Sequence, residues 1–132
     1  MRAFREAIEK PDLDAAEALL APDVVFTSPV VFKPYAGKAI TAAILRAVSG
    51  VFQDFRYVRE INDADGRDSA LVFTARVGDR EINGCDFIHV DEDGLIDEFT
   101  VMVRPLSAAQ ALAAAMGEQF ERIAEEARSR SV

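Results

Sequence analysis

From Met1 to Lys10 the apolar positions Phe4, Ala7 and Ile8 fall at helical spacing, and Pro11 stops the run, which predicts a short first helix. The stretch Asp12 to Leu20 opens on an N-cap candidate, keeps carboxylates in its first turn where the helix dipole favours them, and ends before Pro22. It predicts a second helix. Val24 to Thr27 is a β-branched and aromatic run of strand length, closed by Ser28-Pro29, and the following Val30 to Gly37 contains Pro34 and Gly37 and reads as irregular. Lys38 to Phe52 then places Ile40, Ile44, Ala47, Val48, Val51 and Phe52 on one helical stripe, the longest helix of the first half.

The second half changes period. Phe55–Ile61, Ala70–Val77, Glu81–Val90 and Leu95–Val103 are four runs of strand length, separated by short polar turns rich in Asp and Gly, which imply antiparallel neighbours. In the third run Ile82, Gly84, Asp86, Ile88 and Val90 share one face and Asn83, Cys85, Phe87 and His89 the other, so both faces carry apolar side chains. After Pro105, Ser107 and Gln110 have capping-box spacing, and Leu112, Met116, Phe120 and Ile123 follow at helical intervals. Helices first and a meander last predict an α+β fold, a cone-shaped, curved antiparallel sheet wrapped around the Lys38–Phe52 helix, with N-terminal helices and a C-terminal helix. Such a cone encloses a small-molecule cavity, and its apolar outer face, bearing Cys85, Phe87 and His89, calls for a second copy of the chain.

Composition narrows the classes. The 132 residues, half of them hydrophobic, suffice for one core and one domain, 1–132. A net charge of −8 opposes nucleic acid and anionic membrane as partners. The apolar stretches are too short to span a bilayer, and the charged N-terminus lacks a signal segment. With one cysteine, Cys85, no intrachain disulfide is available, and the cytoplasm is the expected compartment. One His and one Cys offer no paired metal spacing, and Asp91-Glu92-Asp93 lacks the alternating ligands of a calcium loop, so no metal and no cofactor are expected.

Asp86 is the foremost candidate for chemistry, because a carboxyl flanked on its strand face by Ile82, Ile88 and Val90 is desolvated and its pKa rises; alternatively it only ties the sheet to a neighbour. Ser28 either binds a polar group of a ligand or satisfies a backbone amide where the strand ends. Tyr35 and Tyr57 either orient a ligand or pack their rings with a wet tip. Phe26, Phe52, Phe55, Phe73, Phe87 and Phe99 divide between cavity lining and core. His89 and Cys85 lie on the strand face opposite Asp86, towards the outside.

The element order, with Asp12-Leu13-Asp14, Ala21-Pro22-Asp23, Ser28-Pro29-Val30 and Val90-Asp91-Glu92-Asp93-Gly94-Leu95-Ile96, resembles the nuclear transport factor 2-like superfamily, in the branch of ketosteroid isomerases and SnoaL-like polyketide cyclases. The resemblance implies an isomerase site of an Asp base, an oxyanion Tyr and a protonated Asp. On this chain the base position carries Ser28, the oxyanion tyrosine position Phe4, and the remaining acid Asp86. The cyclases' last-strand acid falls at Val101, and no Asp-Arg-Asp trio of the epoxide hydrolases is placed inward. The expected ligand set around Asp86 is therefore Phe4, Phe26, Ser28, Tyr35, Phe52, Tyr57, Ile88, Phe99 and Val101. The implied function is binding of a small apolar molecule, with isomerase, cyclase or hydrolase action on a cyclic or carbonyl metabolite, or a non-catalytic binding or dimerisation module.

Overall fold

The computed structural model describes residues 1–130; Ser131 and Val132, which the single-domain reading includes, lie outside the described residues. The chain runs α1 (Arg2–Glu9), α2 (Leu13–Ala18), β1 (Leu20–Thr27), β2 (Tyr35–Ala36), α3 (Lys38–Val51), β3 (Gln53–Asn62), β4 (Asp68–Val77), β5 (Arg80–Val90), β6 (Ile96–Arg104) and α4 (Leu106–Arg130). The architecture is α+β, as the hydrophobic pattern predicts. Asp12 caps α2 by accepting the Ala15 N–H at 3.1 Å. Gly78, at φ 61°, opens the two-residue turn between β4 and β5, where a left-handed conformation is required.

The six strands lie in the order β2-β1-β6-β5-β4-β3. Every pairing is antiparallel except β1 with β6, which is parallel, so the expected antiparallel sheet is in fact mixed. The reason is topological: β1 is separated from the meander by α3 and joins it at the edge of β6 instead of through a hairpin turn, so no tight turn forces the two strands to run in opposite directions. Local pattern also misplaces some ends. Leu19 and Leu20 continue a helical stripe, yet α2 stops at Ala18 and β1 starts at Leu20, with its β6 register shifting between Leu20 and Val25 around Pro22, which has no N–H to give the ladder. The predicted loop contains β2, with Tyr35 opposite Phe26. Helix α4 begins at Leu106, with Ala109 N–H on the Pro105 carbonyl, so Ser107 sits inside the first turn rather than capping it.

The inner face of the sheet packs on α1, α3 and α4. Phe73, Leu71, Ile82, Ile96 and Phe99 are almost completely buried there, and β5 alternates as read, with Ile82, Gly84, Asp86 and Ile88 inside. A Cβ on Gly84 would lie 2.2 Å from Phe73 Cζ, so the Phe73 ring occupies the space that the missing side chain leaves. No described helix is long and apolar enough to cross a membrane.

Candidate functional site

Between the sheet, α1, α3 and α4 lies a cavity of about 270 Å³. Its polar side chains are few: Asp86, Tyr57, Ser28 and Ser49. Strand β5 carries Asp86 inward, and β3 carries Tyr57, two strands away. Tyr57 pairs with Phe73 and Phe73 with Gly84, two residues before Asp86 on its strand face. The glycine lets the Phe73 ring lie close, and the Tyr57 hydroxyl reaches over β4 to donate to Asp86 Oδ2 at 2.7 Å.

Burial disfavours the Asp86 carboxylate and raises its pKa to about 7, against the opposing effect of the Tyr57 hydrogen bond. Tyr57 is itself held well above the usual phenol range, first by burial and then by the Asp86 charge. It therefore stays a donor at any ordinary pH. Among the described residues Tyr57 is the single hydrogen-bond partner of the Asp86 carboxyl group, which leaves Oδ1 for whatever occupies the cavity. The walls are aromatic: Phe55 stacks on Phe73 at 4.9 Å and on Phe52 at 5.6 Å, and Phe4 meets Phe99 edge-on at 5.2 Å.

Phe4, Phe26, Ser28 and Phe52 line this cavity, as do Tyr57, Phe99, Val101 and Asp86. Tyr35 and Ile88 do not. Tyr35 lies beyond Phe26, its ring 6.5 Å away, and borders a second hollow; Ile88, 2% exposed, is part of the packed core, because β5 carries it past the cavity's end. Ser28 satisfies the backbone where the strand ends, its Oγ accepting the Val30 N–H at 3.1 Å, and the residue borders the cavity. Tyr57 combines ring packing with a hydroxyl aimed at the acid, a pairing that becomes visible only once three strands are in register. Leu112 and Met116 of α4 complete the wall, a role the sequence does not reveal, since an amphipathic pattern tells which face of a helix is buried and not what it covers.

On the opposite face of β5, His89 Nδ1 lies 2.6 Å from Asp97 Oδ1, and this contact raises its pKa. Cys85 is a half-buried free thiol whose pKa burial pushes up, the opposite of an activated nucleophile.

A profile of the SnoaL-like domain matches residues 1–99. The chain belongs to the SnoaL-like domain family. Solved structures place this SnoaL-like chain among close neighbours. A steroid delta-isomerase from Pseudomonas aeruginosa is 47% identical over 90% of this chain and 87% of its own, with a TM-score of 0.85. An uncharacterised protein with a cystatin-like fold, conserved in bacteria, from Silicibacter pomeroyi DSS-3 is 36% identical over 95% and 92%, with a TM-score of 0.84. A nuclear transport factor 2-like protein from Burkholderia xenovorans LB400, 22% identical over 83% and 90% with a TM-score of 0.64, shares the fold. No curated protein matches the chain.

Proposed function

We propose that the SnoaL-like chain binds an apolar molecule bearing one carbonyl or hydroxyl group, held by a hydrogen bond from the protonated Asp86. The observation that carries this reading is the Asp86–Tyr57 pair: one buried carboxyl among aromatic walls, aligned through one oxygen and free at the other. A carboxyl with a pKa about 7 is present in both forms near neutrality, so it can donate to a carbonyl or accept a proton. Tyr57 fixes its rotamer. With neutral ketones, affinity is expected to be highest below pH 7 and to fall as pH rises through that range, because the donor becomes an acceptor. Tyr57→Phe removes the contact that holds the Asp86 pKa down, and should move the midpoint of that profile upwards. Titration calorimetry with acetophenone over pH 5–9 measures both. A flat profile, or one unchanged in Asp86→Asn, would remove Asp86 from the site.

A second reading, isomerisation with Asp86 as the base, is favoured by the similarity to the Pseudomonas aeruginosa steroid delta-isomerase. Against it stand Ser28 and Phe4, where the resemblance expects a base and an oxyanion donor. General-base catalysis typically contributes 10²–10⁴-fold and one oxyanion donor about 10²–10³-fold, so the expected turnover of a Δ5-3-ketosteroid is slow. Rapid turnover, abolished by Asp86→Asn, would establish the second reading in place of simple binding.

The partner most consistent with the outer sheet face is a second copy of the chain. Phe87 (43% exposed) and Met102 (59%) form an apolar band with Val72 and Cys85. At one end of the band lie Asp68, His89 and Glu98; towards the other lie Arg59 and Arg104. A two-fold axis running across the strands through the band sets the acidic end of each copy against the basic end of the other. The cytoplasm remains the proposed compartment, on the single free thiol.

A further inference from the structure

Beside the Asp86 cavity lies a second hollow of about 180 Å³, between α4 and the segment from the end of β1 to β2. The two share Phe26, Ser28, Val30, Ile44 and Met116 as walls. Met116, unbranched and half-buried, is the most adaptable of these side chains. Beyond it the second hollow is bordered by Ala113, Gly117, Phe120 and Ile123 of α4 and by Val31 and Tyr35 opposite. The Ser28 oxygen already accepts the Val30 N–H. The chamber is thus almost wholly apolar, and one of its two walls comes from a helix that begins after the 1–99 stretch matched by the family profile.

We propose that the two hollows are the head and tail subsites of one binding site, and that the ligand is an elongated molecule with its oxygen at Asp86 and an apolar tail running past Met116 beneath α4. This rests on the reading that Asp86 holds the ligand's oxygen. It adds that α4 measures ligand length. A tail entering the second chamber removes each of its methylenes from water, a gain of about fourfold in affinity per CH₂ at full burial. A compact ligand of the same head group leaves the chamber unused. The chemical class is therefore an amphiphile with a single oxygenated end and a flexible apolar tail, such as a long-chain aryl ketone.

The test is a series of para-alkyl acetophenones, from ethyl to octyl, titrated at pH 6 into the intact protein and into Gly117→Leu. Gly117 borders the second chamber, a Cβ there meets nothing within 4 Å, and leucine is a better helix former than glycine, so this variant adds bulk at the chamber wall without a steric clash at Cβ. Ala113→Leu fills it from the neighbouring turn and serves where the first variant does not fold. The expected result is affinity that climbs several-fold per methylene in the parent and levels off in the filled variant, with the octyl compound losing more than tenfold relative to the ethyl compound. A flat series in the parent overturns the inference, as does a climb that Gly117→Leu and Ala113→Leu both leave intact, because the tail then lies elsewhere. Binding of the ethyl compound that is indifferent to Asp86→Asn is the separate result that defeats the head-group reading.

Discussion

Asp86 couples stability to pH with a sign opposite to that of most carboxylates. Its folded pKa is raised from 3.8 to about 7, so between those values the native state keeps a proton that the unfolded chain has lost. Its contribution is intact below pH 4 and is lost as pH rises through 7, an upper bound of about 4 kcal/mol by linkage. The raised His89 pKa acts in the same direction, so the difference between the parent and Asp86→Asn isolates the buried acid. Urea unfolding at pH 5 and pH 8 should show the parent losing stability over this interval and the variant losing clearly less. Equal slopes would mean that Asp86 is hydrated in the folded state. At Gly84 the expectation is steric: Gly84→Ala drives a methyl into Phe73 and should cost about 1–3 kcal/mol, with part recovered when Phe73→Leu is added.

Helix α4 is more a wall than a strut. Leu112 is 3% exposed, yet one side of it faces the cavity and lacks neighbouring atoms, so Leu112→Ala should fall at the low end of the usual range, about 2 kcal/mol in a chemical melt. Its far end is tied down by Arg130, whose guanidinium lies 2.9 Å from Glu17 of α2, the same carboxylate that Arg46 of α3 contacts at 2.9 Å. Elements with local causes were legible in the sequence. Period-two alternation and a glycine turn mark β4 and β5, and the stripe from Ile40 to Phe52 marks α3. Asp86 was legible too, because its strand face is apolar. What escaped depends on distant chain: Leu20 joins a strand because Ile96 stands beside it, Tyr35 because Phe26 does, and Tyr57 meets Asp86 only across β4. The covering role of Leu112 and Met116 escaped for the same reason, since an amphipathic face names no partner.

For the molecule as a whole the decisive measurement is mass in solution. Sedimentation at micromolar concentration should give twice 14.5 kDa, and Met102→Asp, which sets a charge in the centre of the outer band, should return the chain to 14.5 kDa with its circular dichroism unchanged. A parent that sediments as 14.5 kDa under those conditions excludes the two-fold assembly. High salt should weaken the dimer if the acidic and basic ends of the band face each other, since screening acts on both pairs of ends together.

The parallel junction of β1 and β6 bears on the order in which the chain acquires its shape. Strands β3 to β6 close on near neighbours through short turns, whereas Phe26 must wait for Phe99, roughly seventy positions later, before that edge is satisfied. A nucleus built on the meander would then form without β1, with Leu71→Ala slowing refolding and Val24→Ala chiefly accelerating unfolding in a stopped-flow chevron. On a ribosome the same geometry leaves β1 unpaired on its β6 side until Arg104 has emerged. The cavity, bounded by Phe26 on one of these strands and Phe99 on the other, is thus among the last features of the molecule to come into being.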